Sequence, residues 1–495
     1  MNSNQISTNE KKLNLSNREV MMFQNRSIKT VNKEKIDRFD SRQFIKGKNV
    51  LIPIEIFNTP RSLADQKKTL MITDLGVVED PTRTFNPCTS TGNPNGVWTF
   101  GALMRQMASP SPGSIASDLQ VSDFVRNWMN TWKVNQTVNG ENLPARASIQ
   151  NLITNWESKS SVSPGGILNM RFAPFKLIAI VNRLDLRGNS GYGFSNAGEG
   201  RFVFNALTPT CNSQEFTVIF EYGINKKSCS AVKAFAQEWN SLNSMALGSA
   251  AYNSALENIT KQFILSGTNP SKPNQNSINQ IRTNEIALAF PWELREFNLN
   301  TAGQLELVNV KQEPQVKYNG SHSNAVSPVA EVEKLVSWIN SNQSAILSNN
   351  YEVPLNLPST STTFRGGHAL FPTNNTAQIW NGRGASGSQF INNDEARHLF
   401  SLNTCTSCHG GETNTIFTHI KQRSFGLETT LSGFLTGITV VDPANRPAGS
   451  PTSRSFNDLL RRENDLANLV TNNCIDRPVF ELAHKLTFNP VRMTH

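Results

Sequence analysis

The chain has 495 residues, of which 37% are hydrophobic, and 47 Lys and Arg against 38 Asp and Glu give it a net charge of +9. This length allows two or three domains, and no run approaches the ~18 to 20 apolar residues of a membrane span. The charge does not indicate nucleic-acid binding, because residues 1–49 alone hold 11 Lys and Arg against 5 Asp and Glu.

The first 49 residues are polar, mixed in charge sign and only weakly periodic. This composition predicts a disordered basic leader rather than a folded element. Residues 1–24 also lack the unbroken apolar core, about 7–15 residues long, of a secretory signal.

Two amphipathic segments follow, at residues 118–136 and 145–158, with apolar residues spaced as on one face of a helix. They carry Trp128, Trp132 and Trp156. We expect two helices whose tryptophans anchor the core, since large aromatic side chains dominate core packing.

The middle of the chain indicates antiparallel strands at residues 175–187, 200–207 and 215–223, which are rich in β-branched and aromatic residues between turn residues. Residues 230–264 predict one long or two shorter helices. Residues 292–312 predict a hairpin around a Gly-containing turn.

Six cysteines are present, and setting aside the close pair Cys405 and Cys408 leaves four. An even number fits two disulfides in an oxidising compartment, and it fits four buried free thiols in a cytosolic protein equally well. Because Cys211 and Cys229 bracket one strand, we expect them to be bridged. The remaining pair is then Cys88 and Cys474.

A helix is predicted at residues 328–347, and the Pro-, Ser-, Thr- and Gly-rich segment 353–368 then marks a domain boundary. The predicted organisation is the leader 1–49, an α+β domain at 50–355 with antiparallel strands and several helices, and a mainly helical unit at 360–495.

A helix start is visible before the close cysteine pair. Asn392 or Asn393 can cap the helix, and the acidic residues that follow suit its first turn. Gly410 and Gly411 then predict that one continuous helix ends just after His409.

Three kinds of chemical site are possible at the segment Cys405-Thr406-Ser407-Cys408-His409. A structural zinc site lacks the second Cys or His pair that it normally needs. A redox dithiol should open a helix, whereas this motif is predicted to close one. Covalent haem attachment fits the spacing, because two thiols one helical turn apart can reach two vinyl groups with the histidine beneath the iron.

The stretch ARHLFSLNTCTSCHGG, at residues 396–411, resembles the first helix and attachment site of bacterial c-type cytochrome domains. The resemblance implies one haem c, with Cys405 and Cys408 as thioether cysteines and His409 as an axial ligand. It covers at most residues 390–495, and no family is recognised for residues 50–360.

In that family haem is attached outside the cytoplasm, so the resemblance implies a periplasmic, cell-surface or secreted protein. We therefore expect the export signal to lie upstream of this chain. The family commonly takes a distal methionine, and the only methionine after the motif is Met493.

The candidates for the second axial ligand are four histidines: His368, His398, His419 and His484. His398 is predicted to share one helix with His409, which keeps it on the same side of the haem. We rank His419 first, His484 second and an open position third.

The leading hypothesis is an extracytoplasmic electron-transfer protein, in which an α+β region precedes a mainly α cytochrome c-like domain, with an unknown redox partner protein. One alternative is a haem-dependent oxidase or peroxidase with an open distal site. Another is a binding or surface-structural protein whose cysteine motif holds no haem.

Overall fold

The computed structural model describes residues 19–24, 27–32, 65–187, 197–318, 329–371, 391–443 and 453–471. The described residues from 65 onward belong to one compact unit. A hairpin of β1 (Glu19–Gln24) and β2 (Ser27–Asn32), inside the predicted leader, belongs to a second unit. The remainder of that leader lies outside the described residues.

The helices of the compact unit are α1 (Gln66–Thr69), α2 (Leu75–Val78), α3 (Phe100–Met107), α4 (Asp118–Asn130), α5 (Ile149–Lys159), α6 (Cys229–Ser241), α7 (Ala250–Ile264), α8 (Val329–Ser341), α9 (Gln343–Leu347), α10 (Asp394–Leu402), α11 (Cys405–Cys408), α12 (Gly433–Thr436) and α13 (Asp458–Thr471). The predicted helices at 118–136, 145–158, 230–264 and 328–347 are confirmed as α4 to α9.

The strands of the compact unit are β3 (Met71–Ile72), β4 (Phe85–Asn86), β5 (Thr91–Gly92), β6 (Gln136–Val138), β7 (Glu141–Leu143), β8 (Phe175–Arg183), β9 (Glu199–Leu207), β10 (Ser213–Gly223), β11 (Ile278–Glu285), β12 (Glu293–Leu294), β13 (Glu296–Leu299), β14 (Leu305–Val308), β15 (Ala369–Leu370), β16 (Ile438–Val441) and β17 (Ser453–Phe456). Seven of them form an antiparallel sheet in the order β14-β13-β11-β10-β9-β8-β3. The predicted strands β8, β9 and β10 and the hairpin β13–β14 are confirmed.

One face of this sheet is aromatic and packs against α3, α4 and α5. Phe100 of α3 stacks on Phe175 with ring centres 4.3 Å apart and also contacts Phe204 and Phe220. The predicted core anchors are confirmed, since Trp128 of α4, Trp132 just after α4 and Trp156 of α5 are fully buried. Aromatic burial on this scale makes this face the main core of the unit.

The opposite face of the sheet is charged, yet it is buried as well. Arg201 pairs with Glu199 at 2.7 Å and with Glu221 at 3.1 Å. Arg282 pairs with Glu221 at 3.4 Å and with Glu296 at 3.0 Å. Buried charges persist only when they are paired in this way.

Residues 391–471 lie against the rest of the unit, and their short helices alternate with loops and the hairpin β16–β17. Arg423 donates to the Leu177 carbonyl oxygen of β8 at 2.8 Å. In α13, Asp465 pairs with Arg187 at 2.6 Å. The prediction of a mainly α cytochrome c-like domain at the C-terminus is therefore wrong, because this segment covers an antiparallel sheet instead of folding around its own helices.

The predicted Cys211–Cys229 bridge is also wrong, and so is the leftover pair that it implied. Cys211 is bonded to Cys88, with their Cα atoms 6.0 Å apart, and Cys229 is disulfide-bonded too. The error is geometric: Cys211 and Cys229 flank opposite ends of β10, whose 11 residues span about 35 Å.

Candidate functional site

The motif cysteines form a short helix of their own. Helix α10 begins at its predicted cap, where the Asn393 side chain accepts from the Ala396 amide at 2.9 Å. It ends at Leu402, and Thr404 then adopts an extended conformation and caps α11. The prediction of one continuous helix up to His409 is therefore wrong. The Thr404 hydroxyl accepts a hydrogen bond from the Ser407 amide, which ends the first helix and starts a second one.

Both motif thiols are reduced and buried. Cys405 is 1% exposed and Cys408 is fully buried, and they are not bonded to each other. Burial, with the nearby Glu313 carboxyl, raises the pKa of the Cys405 thiol well above its usual value. Cys405 begins a helix, a position that normally lowers the pKa of a thiol, but burial outweighs this effect. Cys405 is therefore unsuited to thiolate-based exchange.

The imidazole of His409 is oriented by the backbone. Its Nδ1 lies 2.6 Å from the carbonyl oxygen of Phe417. Because a carbonyl oxygen only accepts, Nδ1 carries the hydrogen and Nε2 carries the lone pair. Burial lowers the pKa of His409 to about 3. The ring is therefore neutral at physiological pH, which is the form that binds metals.

His419 lies beside His409, with the two ring centres 4.8 Å apart. Its Nε2 is 3.6 Å from the Cys408 sulfur, and its Nδ1 is 2.7 Å from the Ser432 hydroxyl. These contacts place His419, the predicted distal ligand, beside His409 and against Cys408.

Aromatic rings enclose the motif on the side of His409. Trp292 lies 5.2 Å from the His409 ring and 5.1 Å from the Phe371 ring. Phe417 stacks on Trp292 at 6.4 Å. A Cβ on Gly410 would stand 2.6 Å from the Phe371 ring. The glycine after His409 is thus required for the close approach of this aromatic wall.

A buried carboxyl supports the motif from the sheet side. Glu313 accepts hydrogen bonds from the Thr406 amide, at 3.1 Å, and from the Thr406 hydroxyl. Burial raises the pKa of Glu313 to about 8, although these hydrogen bonds oppose the shift. No local sequence pattern indicates this contact, since 93 residues separate the two partners.

The loop after the motif is tied back to α10 by ion pairs. Glu412 pairs with Arg397 at 2.9 Å and also contacts His398. Burial alone would raise the pKa of Glu412, but Arg397 and His398 hold it well below its usual range. Arg397 also pairs with Asp442 at 2.9 Å. His398 therefore positions this loop rather than facing a ligand.

The other predicted ligands do not join the motif. His368 is buried rather than solvent-exposed, and its Nδ1 lies 2.8 Å from Glu293. His484 and Met493 lie outside the described residues. Within the part of the chain that the structure describes, no three His, Cys, Asp or Glu side chains are grouped to hold a metal ion.

The sequence matches no protein-family model, no curated protein and no solved structure. Among the described residues, every helix is too short or too polar to cross a membrane. The motif and its surroundings are therefore the features of the molecule that bear on its function.

Proposed function

We propose that residues 405–409 attach one haem c and that the protein transfers electrons outside the cytoplasm. The observation that carries this proposal is the contact between His409 Nδ1 and the Phe417 carbonyl, 2.6 Å long. Metal-binding histidines nearly always donate their other ring N–H to such an acceptor, which orients the ring and raises the basicity of the ligating nitrogen.

The two cysteines fit covalent attachment. They lie one helical turn apart and are not bonded to each other. Each thiol of Cys405 and Cys408 can add its S–H across a vinyl group, with the sulfur bonding one carbon and the hydrogen passing to the other. When bound, the haem would supply one-electron chemistry at its iron.

The residues around His409 exclude water, which suits a histidine that would bind iron. Trp292, Phe371 and Phe417 exclude water from the His409 side of the motif. Their low dielectric keeps the imidazole neutral, so Nε2 retains its lone pair over the physiological pH range. His409 thereby supplies a fixed, unprotonated donor.

Among the described residues, His409 is the side chain that would bind the iron. His419 contacts Cys408 and Ser432 on the same side of the motif, at the distances given above. The placement of His419 beside His409 favours a second candidate function, the haem-dependent oxidase or peroxidase, in which a small ligand would reach the iron. Binding of carbon monoxide by the reduced protein distinguishes this enzyme from a carrier with two protein ligands.

Two observations support the extracytoplasmic location. Cys88 and Cys211 are bridged across 123 residues, and Cys229 is bonded as well. Structural disulfides persist mainly in oxidising compartments. The redox partner in that compartment is proposed to be another protein, of unknown identity.

Acid–acetone extraction tests the attachment. The full chain is produced in a bacterial periplasm that contains haem-attachment enzymes, together with a Cys405→Ser/Cys408→Ser variant. We expect haem to stay with the unmodified protein and to be extracted from the variant. A Cys88→Ser/Cys211→Ser protein is the matched control and should retain its haem. Complete extraction from the unmodified protein would overturn the proposal.

A further inference from the structure

A second site lies away from the motif, in a cavity of about 140 Å³ between the loop that carries β4 and β5 and strand β8. Its walls combine polar groups with aromatic side chains, among them Phe85, Trp98, Phe100 and Phe425. Cavities of this size, about 150 Å³, hold a ligand as large as benzene.

One wall of this cavity carries a buried amine. The side chain of Lys176, on β8, is 3% exposed. Among the described residues its Nζ makes no hydrogen bond. The amine lies 4.5 Å from the centre of the Phe425 ring. Burial and the nearby Arg423 lower the pKa of Lys176 to about 7, although Glu79 opposes the shift.

The charges around the amine do not cancel. Glu79 accepts from Arg423 and from the Gly426 amide at 3.1 Å, so its charge is already paired. Glu79 therefore offsets the positive charge of Lys176 only in part, because it is itself paired with Arg423. Arg171, whose guanidinium lies 5.1 Å over the Phe85 ring, adds a further positive charge to the wall.

We propose that this cavity binds a small carboxylate with an apolar body of about one ring, and that Lys176 forms the ion pair with it. The aromatic walls take the apolar body, and the ligand carboxylate replaces the Phe425 ring over the amine. Phe425 is only half-buried, on an exposed turn, so this part of the wall can be displaced. The site is independent of the haem proposal, since it shares no residue with the motif.

Calorimetric titration of the full chain with benzoate at pH 6 tests the site. Hydrogen bonds to charged groups predict that Lys176→Met weakens binding by about tenfold to a hundredfold. Lys227→Met, at an exposed loop position, is the control and should bind as the unmodified protein does. Benzamide, the neutral analogue, should bind at least about tenfold more weakly than benzoate.

The pH dependence gives a measurement that needs no variant. The charged amine is the binding form, and Arg423 and Glu79 are the charged groups that act on it. Benzoate affinity should therefore be highest below pH 7 and fall about tenfold per pH unit above it. No saturable benzoate binding, equal binding by Lys176→Met, or an affinity unchanged from pH 6 to pH 9 would overturn the proposal.

Discussion

His409 and Phe417 are joined in both directions: the His409 ring contacts the Phe417 carbonyl at 2.6 Å, and the Phe417 amide donates to the His409 carbonyl at 3.3 Å. Phe417 adopts a φ of 58°, which is costly for any residue except glycine. The conformation of one loop residue thus sets the orientation of the proposed ligand.

Phe417→Pro should abolish both contacts, because proline has no N–H and its φ stays near −65°. His409→Ala should change the absorption spectrum of the haem, because it removes the proposed ligand. We expect Phe417→Pro to show the same altered spectrum. Phe417→Tyr is the matched control, since it keeps both the backbone N–H and an aromatic ring against Trp292, and it should keep the native spectrum. A native spectrum in Phe417→Pro would contradict the role of this loop.

His419→Ala should leave the ferric spectrum unchanged in spin state, because the ring lies beside His409 rather than opposite it. His419→Gln serves as a control that retains a hydrogen-bonding group near Ser432. Conversion from low spin to high spin in His419→Ala alone would instead place His419 at the sixth position.

Removal of the Cys88–Cys211 bridge should destabilise the protein by about 2–5 kcal/mol, since the bridge closes a long loop. Urea unfolding of Cys88→Ala/Cys211→Ala against the unmodified protein measures this change. Peptide mapping without reductant should recover a linked Cys88–Cys211 peptide. A linked Cys211–Cys229 peptide in its place would contradict the fold of this region.

Glu313 should make stability depend on pH. Its carboxyl is protonated in the folded state up to about pH 8 and ionises near 4.5 when unfolded. The folded state therefore binds more protons, and stability is lost as pH rises from about 4.5 to 8, by on the order of 1 kcal/mol per unit.

Glu313→Gln removes this dependence because the amide does not titrate. The difference in unfolding free energy between the variant and the unmodified protein should shift in favour of the variant as pH rises from 5 to 8. Glu285, whose pKa is also raised to about 8 by burial, is present in both proteins and cancels. Parallel stability curves would show that Glu313 is already ionised.

The sequence predicts those helices and strands that are determined by residues close together in the chain. Helix α4 has a capping box between Ser117 and Gln120, followed by apolar residues at helical spacing. Strands β8 to β10 are apolar on at least one face throughout. These signals lie within about a dozen residues of each other, so one sequence suffices to see them.

The missed elements depend on distant partners. Strand β11 has the sequence INQIRTNE, which suggests a loop, yet it lies inside the sheet. Its Arg282 is buried because Glu221 and Glu296 neutralise it from neighbouring strands. The mainly α fold predicted for the C-terminal segment is wrong for the same reason, since the charged sheet face that this segment covers is formed by remote residues.

The absorption spectrum of the purified full chain in alkaline pyridine tests the central claim most directly. Two thioether bonds at Cys405 and Cys408 predict a c-type haemochrome in a ratio of one haem per chain. A b-type spectrum would show that haem binds without these bonds. Protein that contains no iron, or zinc in its place, would contradict the assignment of His409 as a haem ligand.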